Sequence, residues 1–497
     1  MDRAKIIKNI IIGFGGQFLL TILGIIIPRI IISSYGSDIN GLLNTISQIF
    51  KYLALLEAGI GAAAKNQLYR PLVENNKEKV SYIASVASRY FRRITIYYAI
   101  AVICLALLGP IFIKSELDYW LIFWVIIFEG IGGVISFYFI QTLTSILRAD
   151  GKSYVPNGLA FINRLLSYAI KIILALKGIS IIILQFSYFI VGVGNVLFYK
   201  SYFKKHYKWI DFKLASKDSK LQDRNAYVLT EIAGAIFSST DMIVLSTFLS
   251  TKMSSVYAIY NLVFNGLNIM LNSIYASIVY ILGQTFHKDK DQYIILHDSF
   301  TSIFMGGMTI MLSTAYLVVL PFIHLYTSGI TDIEYIYPKL PLLFSLVQLI
   351  SWSRYVTGNL SCVAGYAKIT SYISLVEAVL NILFSIIFVQ KLGIIGVLYA
   401  TVIALPVKVI FLTILSELKI LKRNGRKYML ILGVNYTFFI IIIFISRFIH
   451  LPINNYSSFM YYTVIIFIVC IIAGTILNFL VNPEFIKVFY MLKKHNK

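Results

Sequence analysis

The chain has 497 residues, 58% of them hydrophobic and only 13% charged, with a mean hydropathy of +0.80. A soluble protein of this length needs far more polar surface, so a water-soluble globular fold is excluded. The net charge of +22 would suit a nucleic-acid binder, but the cations collect in short segments between apolar runs and not on one polar domain.

In chain order, about fourteen runs are long enough to cross a hydrocarbon layer about 30 Å thick. They lie at roughly 10–32, 40–65, 94–113, 119–146, 156–176, 178–199, 226–249, 255–283, 299–325, 339–364, 369–390, 393–416, 428–448 and 459–481. The opening MDRAKIIKN is basic like a leader, but no short apolar core and no small-residue cleavage site follow, so it reads as the approach to a first span. With the N-terminus inside, 32 of the 44 lysines and arginines fall in cytoplasmic segments and about 5 in external loops. That asymmetry is the positive-inside rule. It predicts a multi-pass protein of the cytoplasmic membrane with both termini cytoplasmic, and no nucleic-acid partner.

A charge at mid-bilayer costs at least about 2.5–3.5 kcal/mol, so each one inside a span is expected to face protein or a wet cavity. Span one ends in Pro28 and Arg29, and Arg29 either lines a cavity or snorkels to the nearby interface. In span two Asn44, Gln48 and Lys51 share one face, while Glu57 lies on another, before the small-residue run AGIGAAA, where pairing with a neighbouring helix is expected. Arg164 and Lys171 are seven residues apart, on one face of span five. Lys171 could reach the interface, but Arg164 is too deep, which makes it the leading anion-binding candidate. Span seven carries Glu231, Gly234, Ser238 and Asp241 on one stripe, span ten carries Arg354, and span eleven carries Glu377. Structural pairing is the expectation for Glu129 and Lys408.

The polar residues also repeat. Aligning Gly151 with Gly365 places Ala160, Asn163, Ser167 and Lys171 over Ser374, Glu377, Asn381 and Ser385. A similar offset places Asn44, Gln48 and Lys51 over Asn261, Asn265 and Asn268, with Asn272 one turn further. Such stripes belong inside a bundle, either as interhelical glue or as a cavity wall. The predicted fold is therefore all-α and polytopic, with two six-helix lobes related by a pseudo-two-fold along the membrane normal and two extra helices. The lobes are 1–200 and 225–420, joined by a basic cytoplasmic linker at 201–224, with spans thirteen and fourteen and a tail in 421–497.

Cys104, Cys362 and Cys470 all fall within spans, and no metal-ligand spacing exists. The longest external stretch, near 326–338, has Asp332 and Glu334 but no lysine or arginine in its sequence. This argues against an enzyme such as a polysaccharide polymerase, and no cofactor is expected.

The segments RIIISSYGSDINGLLNTISQIFKYLALLEAGIGAAA (29–64) and SSTDMIVLSTFLSTKMSSVYAIYNLVF (238–264), with the paired turns ILRADGKSY and CVAGYAKIT, resemble the Wzx-like polysaccharide transporters. That family belongs to the superfamily that also holds drug–cation antiporters and lipid II flippases. The resemblance covers essentially the whole chain. It implies an alternating-access flippase of the bacterial inner membrane, moving an undecaprenyl-diphosphate-linked oligosaccharide for O-antigen, capsule or exopolysaccharide assembly. Its partners would be the lipid-linked glycan, membrane lipids, and the polymerase and glycosyltransferases of the same pathway. On this reading Arg164, Lys51, Arg29, Arg354 and Lys171 meet the anionic head group. Asn44, Gln48, Asn261, Asn265 and Asn268 meet sugar hydroxyls. Asp241, Glu377, Glu231 and Glu57 either pair with the cations or take up H+ or Na+. The alternatives are a lipid II flippase, which also wants a basic cavity, and a drug–cation antiporter, which would want acids where the first half carries bases.

Overall fold

The computed structural model describes residues 3–57, 60–212, 214, 239–449 and 451–483. Glu231 and residues 213 and 215–224 of the predicted linker lie outside the described residues. Among those described the chain is all helix: α1 (Arg3–Ala54), α2 (Ile60–Val73), α3 (Lys77–Phe112), α4 (Tyr119–Ile135), α5 (Gln141–Ala149), α6 (Tyr154–Leu176), α7 (Ile181–His206) and α8 (239–248). There follow α9 (Thr251–Lys288), α10 (Lys290–Tyr326), α11 (Leu340–Trp352), α12 (Tyr355–Val363), α13 (Ala367–Leu392), α14 (Ile394–Ile414), α15 (Arg426–Ser446) and α16 (Tyr456–Val481). Nine helices among the described residues are long and apolar enough to cross a membrane. This is the polytopic membrane fold that the hydropathy predicts.

The helices outrun the apolar segments. α3, α9 and α10 have 36, 38 and 37 residues, where about 20 suffice to span. Capping residues begin several of them where hydropathy gives no signal: Asn76 accepts from Lys79 N, Asp289 from Asp291 N and Gln292 N, and Asn455 forms a reciprocal capping box with Ser458. The run α1 is two helices that meet at Gly36, whose non-helical backbone with a φ of 85° suits glycine, and the second of them ends at the 3-10 turn Leu55–Glu57.

The chain forms two compact units, Met1–Ser255 and Val256–Lys497. The first has two apolar cores. One gathers Ile27, Ile31, Leu42 and Ile46 with Val125, Ile126, Ile181 and Leu184. The other, nearer the basic loops, gathers Ala84, Phe91 and Tyr98 with Ile146, Leu147 and Phe203. Between α4 and α5 the span widens into a π-helical turn, Ser136–Ile140.

In the second unit α10 is the most enclosed of the nine candidate spans, and α15 and α16 pack on it. Asn435 and Asn478 exchange reciprocal amide hydrogen bonds of 3.0 and 3.1 Å, and Ser302 of α10 donates to Asn478 at 3.2 Å. A Cβ on Gly306 would meet that Asn478 amide at 2.9 Å, so glycine allows the close approach of α16. The predicted tenth span is not continuous. It divides into α11 and α12 at Ser353–Arg354.

The turns aligned by the repeat are built alike. Gly151 N and Lys152 N donate to Arg148 O and Leu147 O, and Gly365 N and Tyr366 N donate to Cys362 O and Ser361 O. Both are Schellman caps, with the glycine at φ 70° and 87°. Gly365→Ala should therefore cost about 1 kcal/mol from the left-handed backbone alone, since nothing crowds a Cβ there. Gly307→Ala, on a regular helix with ordinary contacts, should cost nothing measurable. Thermal unfolding in detergent compares them, and an unchanged melting temperature for Gly365→Ala would contradict the turn assignment.

Candidate functional site

In the first unit, α6 has two exposed faces that differ in chemistry. Ile162, Leu166, Ile173 and Leu176 are exposed, and together they form an apolar face suited to lipid. Asn157, Ala160 and Arg164 are exposed as well, and at 100° per residue they lie roughly opposite. Ser167 and Lys171 continue that second face, half-buried. Arg164 makes no hydrogen bond or ion pair among the described residues. The Lys171 ammonium instead sits 4.9 Å from the Tyr188 ring centroid, a cation–π seat that shelters its charge.

α1 exposes a small polar face in its second half. Lys51 is exposed together with Ser47, and its ammonium donates to the buried Gln48 carbonyl at 2.9 Å. Asn44 turns back to donate to Asn40 O at 2.8 Å. Arg29 is half-buried, and Ser33 Oγ donates to its carbonyl. Glu57 accepts from Gln141 Nε2 at 3.1 Å, which ties the 3-10 turn after α1 to the start of α5. Asp241 is half-buried in α8, beside Thr240, whose hydroxyl meets that of Tyr52 at 2.6 Å.

At the end opposite the basic loops, Asp38 is buried and joins three stretches of the first unit. Its carboxylate accepts from Ser115 Oγ at 3.1 Å, Glu116 N at 2.9 Å and Thr251 Oγ1. Lys114 and Thr251 exchange backbone bonds with the same region, and Lys252 pairs with Glu116 at 2.6 Å. Gly41 lies so close to the Thr251 carbonyl that no Cβ fits between them. The short Ser/Asp/Gly segment gives no periodic signal, so sequence reasoning missed this knot.

In the second unit the charges pair internally. Arg354, at the α11–α12 break, forms an ion pair with the buried Glu377 of α13. Lys408 is close enough for its charge to act on both. Asn381, one turn beyond Glu377, donates to Thr401 at 2.8 Å, so the stripe that faces open space on α6 is packed against α14 on α13. The break itself is satisfied by side chains: Tyr428 donates to Ser353 O, Tyr275 to Tyr355 O at 2.9 Å, and Trp352 Nε1 to Asn268 at 2.9 Å. Asn261 is half-buried and Asn265 exposed.

A further charged cluster carries no periodic signal because its members are far apart in sequence. Arg423 donates to Asp298 at 2.6 and 2.8 Å and to Glu417 at 2.5 and 3.0 Å. His297 lies 3.2 Å from Asp298, and Lys427 lies 3.7 Å from it. Asp298 and Glu417 are both buried, so the cluster clamps α10 to the loop that leads into α15.

Breaking a buried ion pair leaves one charge uncompensated, at a cost of about 3 kcal/mol or more. Glu377→Gln and Arg354→Gln should each lower the melting temperature markedly. The double replacement Arg354→Met/Glu377→Met should recover part of the loss. A double variant as unstable as the two losses combined would show that the two side chains do not depend on each other.

Neither a protein-family model nor a curated protein sequence matches the chain. Solved structures do. An inward-facing MATE-family multidrug resistance transporter of the MOP superfamily aligns with a TM-score of 0.65 at 15% identity, covering 79% of this chain and 92% of that one. The lipid II flippase MurJ, in an inward closed conformation, aligns at 0.66 and 16% identity, covering 93% and 98%. A MOP-superfamily transporter from Pyrococcus furiosus, described as having a binding pocket of reversed polarity, aligns at 0.53 and 14% identity over 82% and 93%. The chain has the fold of MOP-superfamily membrane transporters.

Proposed function

We propose that this protein is a flippase that carries an undecaprenyl-diphosphate-linked oligosaccharide across the bacterial cytoplasmic membrane, for the assembly of a surface polysaccharide. The observation that carries the reading is the two-faced exposure of α6. A helix exposed on both sides, apolar on one and carrying Arg164 on the other, is suited to meet lipid with the first face and a wet, anionic ligand with the second. Lys51 stands on another exposed polar face, on α1. A guanidinium binds phosphate in a bidentate fashion, and in the second unit the exposed Asn265 suits a sugar hydroxyl.

A cationic drug would find the wrong sign on α6 and α1, which disfavours a drug antiporter in spite of the shared fold. Lipid II carries the same diphosphate, and MurJ covers nearly the whole chain. That makes lipid II the second reading, differing only in the sugar. In either case no residue needs to break a bond: the side chains bind and release, and the protein is a carrier, not an enzyme.

Alternating access needs one end shut while the other admits substrate. At the end away from the basic loops, the Asp38 bonds to Ser115, Glu116 and Thr251 hold three stretches of the first unit together. The buried Arg354–Glu377 pair leaves Arg354 engaged with its own carboxylate, whereas Arg164 and Lys51 of the first unit are exposed. Release of Glu377 to take up H+ or Na+ is the coupling step that this arrangement permits.

Removing a charge-assisted bond worth about 1.5–3 kcal/mol predicts a loss of about tenfold or more. Arg164→Gln should lower translocation of a fluorescent undecaprenyl-diphosphate glycan in proteoliposomes by that factor, and Arg164→Lys should lower it less. Wild-type translocation by Arg164→Gln would refute the assignment. Rescue of a lipid II flippase-depleted strain without any surface-glycan phenotype would favour the second reading.

A further inference from the structure

Where α3, α7 and the π-helical turn Ser136–Ile140 meet in the first unit, two cations sit on two adjacent aromatic rings. The Arg92 guanidinium lies 5.4 Å from the Tyr138 ring centroid, and the Lys200 ammonium lies 4.7 Å from that of Phe139. The two rings contact each other edge to face, with centroids 4.6 Å apart. Both rings are exposed, at 42% and 38%, and so are both cations. Neither cation has an acidic partner or a hydrogen bond among the described residues.

The depth of this group is set by three independent helices. At a rise of 1.5 Å per residue, Arg92, Tyr138 and Lys200 each lie roughly 30 Å from the far end of their own helix. Those far ends are Phe112, Tyr119 and Ile181, all at the end away from the basic loops. One hydrocarbon thickness is about 30 Å, so the group stands at the level of the lipid head groups on the basic face. The π turn is what presents adjacent rings there, since a widened turn re-aims consecutive side chains.

We propose that this group is a binding site for an anionic phospholipid. The lipid phosphate bridges Arg92 and Lys200, and the first acyl carbons lie against Tyr138 and Phe139. Cations held over ring faces keep part of their charge unneutralised and fixed in direction, which distinguishes the group from lysines that merely snorkel. Ile96 and Leu197, one turn from Arg92 and Lys200 on the same helix faces, are exposed and apolar, as contact with an acyl chain requires. The site lies on the lipid-facing surface and is independent of the translocated substrate.

The test uses the whole protein in neutral maltoside micelles, titrated with phosphatidylglycerol, phosphatidylcholine or inorganic phosphate while the melting temperature is followed. Phosphatidylglycerol should raise the wild-type melting temperature saturably, and the other two should not. At about 1 kcal/mol per cation, Arg92→Gln/Lys200→Gln should need about tenfold or more phosphatidylglycerol for half the effect. Arg92→Lys/Lys200→Arg and the nearby Lys204→Gln/Lys205→Gln should respond as wild type. An unchanged response in the glutamine variant, an equal response to phosphatidylcholine, or a full response to inorganic phosphate would each overturn the proposal. If the glutamine variant does not fold, Tyr138→Leu/Phe139→Leu removes the ring seats and keeps the apolar contact. A wild-type lipid response in that variant would equally overturn it.

Discussion

Hydrocarbon offers no partner to a polar group, so every charge and every free backbone carbonyl in a spanning protein must find another protein group, reach an interface or keep water beside it. This chain uses all three outcomes, and their distribution organises the rest of the molecule. Arg354 and Glu377 pair with each other, Lys171 lies over the Tyr188 ring, and Arg164 remains exposed on a polar face. Only the last outcome leaves a cation available to a ligand. The exposed cations, not the sum of cations, therefore carry the functional reading.

The same constraint explains the second unit's architecture. Interrupting a span at Ser353–Arg354 frees backbone groups that lipid cannot satisfy. Tyrosines from α9 and α15 donate to them, and Trp352 stacks on Tyr355 with ring centroids 3.9 Å apart. The break is thus held by helices distant in sequence, and α15 is part of what makes it tolerable. The Asn435–Asn478 amide pair and the Arg423 clamp do related work, fixing α15 and α16 to α10 through groups that would be costly to leave single. The last two helices are in this sense structural supports of the second unit.

Symmetry between the two halves is retained where backbone geometry demands it and lost where side chains have diverged. The Schellman turns at Gly151 and Gly365 make the same hydrogen bonds, because a helix that must stop and reverse within a few residues has few ways to close. The polar stripes that follow them differ. On α13 Glu377, Asn381 and Ser385 are buried, whereas on α6 Arg164 is exposed. The same spacing of polar residues is buried in packing in one unit and partly exposed in the other.

The sequence by itself determined the class of fold, the approximate spans and the existence of the stripes, because hydropathy and helical periodicity are local properties read along one chain. It also indicated Glu377 as a charge in need of a partner and Lys51 as sharing a face with Gln48, since burial cost and angular position follow from residue type and spacing. Tertiary structure alone decided which partner each charge takes. Asp38 with Thr251, Asp298 with Arg423, and Arg354 with Glu377 join residues separated by 213, 125 and 23 positions, and no periodicity links them. The broken span was hidden for the same reason: its backbone is stabilised by distant side chains, so the local sequence still reads as continuous helix.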